Sequence, residues 1–333
     1  MNGVVVVDKP RDMTSAQVVA RVKRFLKARK VGHTGTLDPF ATGVLVCCVN
    51  HATRLARFIS QGRKHYDVVM KLGVRTDTQD FTGRVLSTES IAGVTDEKIE
   101  MCVEKMIGES RQMPPSFSAL KHQGKPLYQL AREGVFVQKP PRPIRVDELT
   151  VLKIDPPMIH FRVVCTSGTY VRTLCADMGE LLGCGAHLLR LRRTQSGGFT
   201  LRDAVSLDTL ESLAEKGEAE DALIPMERAL KEVPEVQVGN RIAAKIRNGT
   251  PLTEKDVGRF NGEEFPWVKV IDMNRKLIAV LDAKKRKDIL PYMCVFANEH
   301  EPDYRARAAD RELGEVLERT SPIQAVRLVE GKK

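Results

Sequence analysis

Candidate catalytic groups are densest in one segment, residues 30–43, with the sequence KVGHTGTLDPFATG. It holds three glycines and three threonines together with His33 and Asp38. Glycine and Asp-Pro are typical of turns, so the segment by itself predicts only a turn. A Walker A loop is excluded because no Gly-Lys-Ser/Thr follows, and His33 has no second histidine four residues on to share a metal. What remains is a carboxylate, Asp38, presented from a rigid turn as a candidate catalytic group.

Seven other short motifs accompany this loop along the chain. They are residues 5–10 (VVVDKP), 64–67 (KHYD), 72–78 (LGVRTDT), 112–128 (QMPPSFSALKHQGKPLY), 167–173 (SGTYVRT), 182–187 (LGCGAH) and 191–193 (LRR). Together with residues 32–45 they resemble the motifs of the TruB family of tRNA pseudouridine synthases, in its bacterial stand-alone type. The matches run in the family's order over residues 3–199, about three-fifths of the chain.

The resemblance implies an isomerisation that uses no metal, nucleotide or redox cofactor. The C–N glycosidic bond of one uridine breaks, the uracil rotates, and its C5 bonds to the same ribose. Such a reaction needs an ionised carboxylate as nucleophile, and Asp38 matches the family's catalytic aspartate. Arg172 matches the arginine that keeps this carboxylate charged in a partly dry pocket. Tyr66 matches a tyrosine whose ring stacks on the uracil and whose hydroxyl lies near the carbon that loses a proton.

The resemblance also implies residues that handle the RNA or support the loop. Enzymes cannot reach a base inside a stacked helix, so the target must flip out, and His33 matches the histidine that fills the vacated place. Leu191 is expected to line the pocket. Lys9 and Pro10 match a motif that we interpret as structural support for the catalytic loop.

Positive charge is concentrated in two parts of the sequence. The chain has 53 Lys and Arg against 43 Asp and Glu, a net charge of +10, which favours nucleic acid over membrane as a partner. Residues 1–60 hold ten cations and three acids, and residues 111–145 hold seven cations and one acid. The second segment resembles the family's RNA-clamping insertion, where we expect Lys121, Lys125 and Arg132 to contact phosphates.

The elements that must position these groups are predicted by hydrophobic patterning to form an α+β fold. Strands are expected at residues 4–7, 66–72, 84–88, 146–154 and 158–165. Helices are expected at residues 16–28, 96–107 and about 170–183. The first helix should begin at a capping box formed by Thr14 and Gln17, and the third should end before Gly183.

Three details of this pattern are specific enough to be tested. The helix at 170–183 should turn Leu174, Met178, Leu181 and Leu182 inward. Arg190, Arg192 and Arg193 should form the basic face of a strand. Residues 111–145 read as a long polar insertion between elements, and loops of that length in a compact domain usually have a function.

The length of 333 residues predicts more than one domain. We expect a pseudouridine synthase-like catalytic domain around a mixed β-sheet at 1–232, which includes the insertion at about 111–145. A small β-rich PUA-like module should follow at 233–300, with a short helix and two strands near residues 267–271 and 276–282. Residues 301–333 are dense in charge and are expected to form a partly disordered tail.

The expected setting is a cytoplasmic monomer that acts on tRNA, at uridine 55 of the T-loop, without a membrane or an obligatory protein partner. Its start resembles no signal peptide, no apolar run approaches a membrane span, and its seven cysteines should be reduced and buried. A guide-RNA-dependent enzyme of the same family is one alternative, but Ser118–Lys121 and Gly124–Tyr128 resemble the clamp of the stand-alone enzyme, which argues against it. A non-catalytic RNA chaperone is another, but binding alone does not need Asp38, Tyr66 and Arg172.

Overall fold

The computed structural model describes residues 1–258, 266–284 and 289–296. The chain divides into two compact units, Met1–Val233 and Pro234–Lys333. The tail predicted at residues 301–333 lies outside the described residues. None of the described helices is both long and apolar enough to cross a membrane.

The first unit alternates short helices with strands of very different lengths. Its elements are β1 (Gly3–Lys9), α1 (Ser15–Phe25), β2 (Val31–His33), β3 (Thr42–Val49), α2 (Ala56–Ile59), β4 (Lys64–Leu72), β5 (Val74–Thr76), β6 (Val85–Thr88), α3 (Asp96–Met106), β7 (Gly108–Gln112), β8 (Lys121–His122), β9 (Lys125–Pro126), α4 (Leu127–Arg132), β10 (Arg142–Asp155), β11 (Met158–Cys165), α5 (Val171–Leu181), β12 (Ala186–Ser196), β13 (Phe199–Thr200), β14 (Ala204–Val205), α6 (Leu207–Lys216) and α7 (Met226–Ala229).

Ten strands of this unit, all within the described residues, form one mixed sheet. Its main path is β14-β1-β3-β12-β4-β11-β10-β7, with β2 paired to β3 and β13 paired to β12. The pairs β1–β14 and β3–β12 are parallel, and the other pairs are antiparallel. The prediction of an α+β fold around a mixed sheet is therefore confirmed.

Two apolar clusters attach helices to the sheet. In the first, Val68 and Met70 of β4 are buried together with Leu174 and Met178 of α5. In the second, α1 packs its apolar stripe against β1 and β3, and α6 joins them. Each fully buried side chain of this size contributes about 1.5–3 kcal/mol, so the helices are held firmly against the strands that carry the motifs. All seven cysteines are buried, as predicted.

Helix α1 begins where the sequence predicts and ends earlier. The Thr14 side chain accepts from the Gln17 backbone N–H, and the Gln17 side chain accepts from the Thr14 N–H, which is the predicted capping box. The helix ends at Phe25, three residues before the predicted end. The reason is that Lys27 adopts a left-handed backbone conformation, φ 45°, which no α-helix can accommodate.

Two predictions about side-chain direction are wrong. Leu181 is 53% exposed, because it lies in the last turn of α5 beyond the stripe that contacts the sheet. Arg193 is not on a basic surface, since it is only 2% exposed. Successive residues of a strand point to opposite faces, and the register is regular from Arg190 to Arg193, so Arg193 shares the buried face of Leu191 and not the face of Arg190 and Arg192.

The insertion at residues 111–145 is more regular than a loop. Residues 111–112 complete β7 and residues 142–145 begin β10, and these strands pair with each other at the sheet edge. Between them lie the β8–β9 hairpin and the short helix α4. The insertion therefore grows out of two paired strands, which fix both of its ends.

The second unit has its own small core among the described residues. Its elements are β15 (Glu235–Gln237), α8 (Asn240–Arg247), β16 (Leu252–Thr253), α9 (Glu254–Val257), β17 (Trp267–Ile271), β18 (Leu277–Asp282), β19 (Ile289–Leu290) and β20 (Tyr292–Val295). Four of the described strands form a sheet in the order β15-β17-β18-β20. The unit is β-rich, as predicted.

Candidate active site

The loop between β2 and β3 carries Asp38, and buried groups hold it on one side. Lys9, at the end of β1, is fully buried and donates from Nζ to the carbonyls of Pro10, Met13 and Pro39. The Ser15 hydroxyl, at the start of α1, donates to the Leu37 carbonyl and accepts from the Leu37 N–H. The residues on both sides of Asp38 are thus held by hydrogen bonds to Lys9 and Ser15.

Arg193 of β12 holds the two ends of the same loop. Its guanidinium donates to the carbonyls of Gly35 (3.0 Å), Thr36 (3.4 Å) and Val44 (2.7 Å). Gly43 pairs with Arg193 across the parallel β3–β12 contact at φ 101°, and a Cβ there would lie 2.2 Å from the Arg193 carbonyl oxygen. Only glycine allows this close approach.

The Asp38 carboxylate forms a two-point ion pair with Arg172. Arg172 Nε lies 2.9 Å from Asp38 Oδ2, and Nη2 lies 3.4 Å from Oδ1. The Arg172 side chain is 5% exposed, whereas that of Asp38 is 32% exposed. The structure therefore brings together two of the predicted catalytic residues and leaves the carboxylate accessible.

Asp80 is a third member of this group, which the sequence analysis missed. Its Oδ2 lies 3.5 Å from Arg172 Nη1, while Oδ1 accepts from the Thr82 N–H and from the hydroxyls of Thr78 and Thr82. The partners of Oδ1 lie only two positions away on either side of Asp80, as is usual in a turn. The contact with Arg172 joins residues 92 positions apart, and nothing local in the sequence indicates it.

The electrostatic balance at Asp38 has several causes. Burial raises the pKa of its carboxyl above the usual value, the Arg172 guanidinium opposes this rise, and the Asp80 carboxylate adds to it. An aspartate that is partly desolvated but paired with a cation combines ionisation with nucleophilicity. The described residues include no group of three His, Cys, Asp or Glu side chains that could hold a metal ion.

Tyr66 lies on β4, buried in the core cluster that also contains Leu37 and Phe40 of the loop. It pairs with Arg193 of β12 on one side and with Val163 of β11 on the other. Burial raises the pKa of its hydroxyl, and Arg193 opposes this rise. The fold thus places Tyr66 beside the loop that carries Asp38, near enough for the Asp38 charge to act on its hydroxyl.

His33 and Leu191 flank this region. His33 ends β2 and is half-buried; its Nδ1 accepts from the Gly35 N–H, and burial with the nearby Arg193 charge lowers the pKa of its imidazole. Leu191 lines a cavity of about 370 Å³ together with Phe40 and Val68. Asp38 is not among the described residues that line this cavity, which extends beside the loop.

The insertion touches the ion pair directly. The Phe117 carbonyl accepts from Arg172 Nη2 at 2.9 Å. At the base of the insertion, the Gln112 side chain donates to the Tyr170 carbonyl and accepts from the Tyr170 N–H, two residues before Arg172. Lys121, Lys125 and Arg132 are exposed on the β8–β9 hairpin and α4, where solvent or RNA can reach them.

Family comparisons agree with this arrangement of motifs. Residues 23–171 match the family described as TruB family pseudouridylate synthase (N terminal domain), and residues 172–231 match the tRNA pseudouridylate synthase B C-terminal domain. The tRNA pseudouridine synthase B of Syntrophotalea carbinolica is 45% identical over 253 residues, 76% of this chain and 82% of the relative. The chain belongs to the TruB family. Its relative from Stutzerimonas stutzeri, also a tRNA pseudouridine synthase B, is 39% identical over 294 residues, 87% of this chain and 94% of the relative.

Solved structures support the same assignment of fold. A chain in the crystal structure of a Cbf5-Nop10-Gar1 complex superposes with a TM-score of 0.69 at 28% identity, over 89% of this chain and 85% of that chain. A chain in a structure of an H/ACA RNP bound to a substrate RNA gives 0.68 at 26% identity, over 90% of this chain and 86% of that one. The TruB family chain therefore has the pseudouridine synthase fold predicted from its motifs.

Proposed function

We infer that this protein is a tRNA pseudouridine synthase that isomerises uridine 55 in the T-loop of tRNA. Its relatives over most of its length are tRNA pseudouridine synthases B. The observation that carries the inference is the Asp38–Arg172 pair, with Tyr66 in the same core cluster as the loop. An RNA chaperone would need the cationic surface but not a partly buried, accessible carboxylate.

Asp38 is the nucleophile of this reaction and attacks the target nucleotide at its sugar or base. Arg172 keeps the carboxylate ionised, because a buried guanidinium within 3 Å favours the charged form. Tyr66 stacks on the uracil and receives the C5 proton. Lys9 and Pro10 support the loop, so that the carboxylate needs little reorganisation when the base arrives.

RNA binding uses different residues from the chemistry. The target base flips out of its stack, and His33, whose imidazole is kept neutral by burial and by Arg193, occupies the vacated place. Leu191 contacts the flipped base through its apolar side chain. Lys121, Lys125 and Arg132 contribute phosphate contacts from the insertion, where they are exposed and free of the core.

The enzyme acts as a monomer in the cytoplasm and needs neither a guide RNA nor a protein partner. Support for independence comes from its identity of 39–45% with relatives named tRNA pseudouridine synthase B, compared with 28% for the chain of the Cbf5-Nop10-Gar1 complex. The GKPLY sequence of the insertion forms an ordered hairpin and helix start next to the site.

The decisive experiment uses unmodified tRNA labelled with tritium at C5 of uridine. Isomerisation must release that hydrogen to water, so purified protein alone should release one tritium for each U55 converted. A tRNA in which U55 is replaced by cytidine is the matched control and should release none. Binding of tRNA without tritium release would support the chaperone alternative, and release only after a guide RNA is added would support the guide-dependent one.

A further inference from the structure

Arg193 is a buried charge with an unusual set of partners. It is 2% exposed and is one of the two largest fully buried side chains in the described part of the chain. No carboxylate among the described residues forms an ion pair with it. Burying an unpaired cation is costly, and such a charge is usually retained because it serves the site around it.

Its hydrogen bonds leave part of the guanidinium available. An arginine has five N–H donors, and the bonds to Gly35, Thr36 and Val44 use three of them. Supporting the loop therefore occupies Nε and one hydrogen on each terminal nitrogen. Two N–H groups remain for a further acceptor.

The candidate acceptor is the Tyr66 hydroxyl. Tyr66 and Arg193 are direct partners across the antiparallel β4–β12 pair, and such partners have Cβ atoms about 4.5–5.5 Å apart on one face of the sheet. Both side chains are buried, so solvent screens their interaction little.

The other titratable groups near this hydroxyl shift its pKa in the direction opposite to the shift caused by Arg193. Burial, Cys165 of β11 and Asp38 of the loop raise the pKa of this hydroxyl, whereas the positive charge of Arg193 lowers it. Among these groups Arg193 alone stabilises a phenolate. Arg193 therefore holds the loop that carries Asp38 and is also the direct cross-strand partner of Tyr66.

We propose that Arg193 is a positioning residue that stabilises the anionic form of Tyr66, so that its oxygen can accept the C5 proton during isomerisation. This rests on the proposed function. Tyr66 first loses its phenol proton to solvent. After C5 has bonded to the ribose, the C5 proton moves to the Tyr66 oxygen, and the C5–H electron pair forms the C5=C6 bond. The C6=N1 pair moves to N1, which takes a proton from water.

The test replaces Arg193 by lysine and measures single-turnover rates with saturating tRNA, carrying hydrogen or deuterium at C5 of U55. Lysine keeps a charge but not the planar fork that reaches the loop and Tyr66 together. Proton removal should slow about 10- to 100-fold, and the deuterium isotope effect should increase because this step becomes rate-limiting. Arg192→Lys is the matched control; its neighbouring side chain forms a surface ion pair with Asp8 and should change neither quantity.

A variant in the Tyr66→Phe background separates this role from general support of the loop. If Arg193 acts through Tyr66, then Arg193→Lys should add little further loss when the hydroxyl is absent. A multiplicative loss in the double variant, or a slower Arg193→Lys enzyme with an unchanged isotope effect, would overturn the proposal. Wild-type protein that releases no tritium would instead refute the proposed function itself.

If Arg193→Lys shows no cooperative melt and is therefore not folded, a second substitution tests the proposal. Replacement of Tyr66 by 3-fluorotyrosine retains the ring and lowers the pKa of its phenol, so the anion needs less stabilisation. Proton removal should become faster and its isotope effect smaller. An unchanged isotope effect would show that the anion of Tyr66 is not the acceptor that Arg193 serves.

Discussion

At the level of single residues, the site keeps one carboxylate reactive by opposing effects. Burial raises the pKa of the Asp38 carboxyl, and the Arg172 guanidinium counteracts this. Arg172 itself is held by Asp80, by the Thr78 carbonyl and by the Phe117 carbonyl, so it cannot follow the carboxylate if that moves to attack. The guanidinium is therefore fixed beside the Asp38 carboxylate.

Replacing Asp38 by asparagine should abolish turnover and spare binding. The amide keeps the shape of the side chain but is not a nucleophile, so tRNA affinity should stay within about 1 kcal/mol of wild type. Tritium release measures turnover, and filter binding measures the affinity for tRNA. Retention of more than a few percent of wild-type turnover would remove Asp38 from its proposed role.

The pH dependence should report the raised pKa of Asp38. The ionised form is the nucleophile, so activity is present above this pKa and lost as the pH falls through it. Because burial raises the pKa, we expect the acid limb of the single-turnover rate at a higher pH than a free aspartate would give. Arg172→Gln should shift this acid limb to a still higher pH, because the guanidinium that opposes the rise in the pKa of Asp38 is gone. A limb that stays in place would contradict this electrostatic assignment.

Asp80→Asn should lower kcat about 10- to 100-fold with little change in KM. In the variant, an amide N–H faces Arg172 Nη1 in place of the carboxylate oxygen that accepted its hydrogen bond. Arg172 therefore loses one of the contacts that hold it in position while charge develops in the transition state. Asp77→Asn makes the same chemical change three residues away, at a carboxylate that accepts only from the Arg84 N–H among its described contacts. Steady-state kinetics should distinguish the two variants, and equal kcat values would reject the role of Asp80.

The sequence could predict the residues that lie within motifs but not their long-range partners. Asp38, Tyr66 and Arg172 were each recognisable from the residues around them. Asp80 lies in none of these motifs, and its partner Arg172 is 92 positions away. Arg193 lies within the motif 191–193, but its carbonyl partners are about 150 positions away and are brought close by the pairing of β12 with β3. The prediction of a basic face that includes Arg193 is wrong because regular alternation from Arg190 to Arg193 places Arg193 on the face opposite to Arg190 and Arg192.

At the level of elements, the insertion that we propose for RNA binding also contacts the ion pair. Its two ends are the paired strands β7 and β10, and its side chains and backbone contact the start of α5 at Tyr170 and Arg172. The sequence predicted its charge and position but only a loop, because hairpin and helix are too short to show a periodic pattern.

Neutralising Lys121, Lys125 and Arg132 together should weaken tRNA binding and flatten its salt dependence. Removing one phosphate interaction should reduce the slope of log K against log salt by about 0.7–0.9. Neutralising Lys105, Lys153 and Lys216, which are exposed on α3, β10 and α6, is the matched control for the same change in charge. A fall in affinity without a change in slope would mean that the insertion residues act by shaping the insertion.

At the level of the whole molecule, the order of strands explains how distant motifs meet. Strand β12 lies between β3, which follows the Asp38 loop, and β4, which carries Tyr66. Strand β12 thus brings the Asp38 loop and Tyr66 together. Helix α5, which immediately precedes β12 in the chain, supplies Arg172. Sequence patterns predict the strands themselves, whereas their order is set by packing between segments far apart in the chain.

The division of the chain after Val233 predicts that the first unit carries out the chemistry and the second unit contributes to RNA binding. Every residue proposed for the chemistry lies in the first unit, so a protein ending at Val233 should still convert tRNA. If the second unit only adds RNA-binding surface, its loss removes binding energy shared by ground and transition states, which raises KM and leaves kcat nearly unchanged. Circular dichroism and a cooperative melt first establish that the shortened chain is folded, and tritium release over a range of tRNA concentrations then separates the two constants. A folded truncation with a low kcat at saturating tRNA would instead mean that the second unit helps to build the active site.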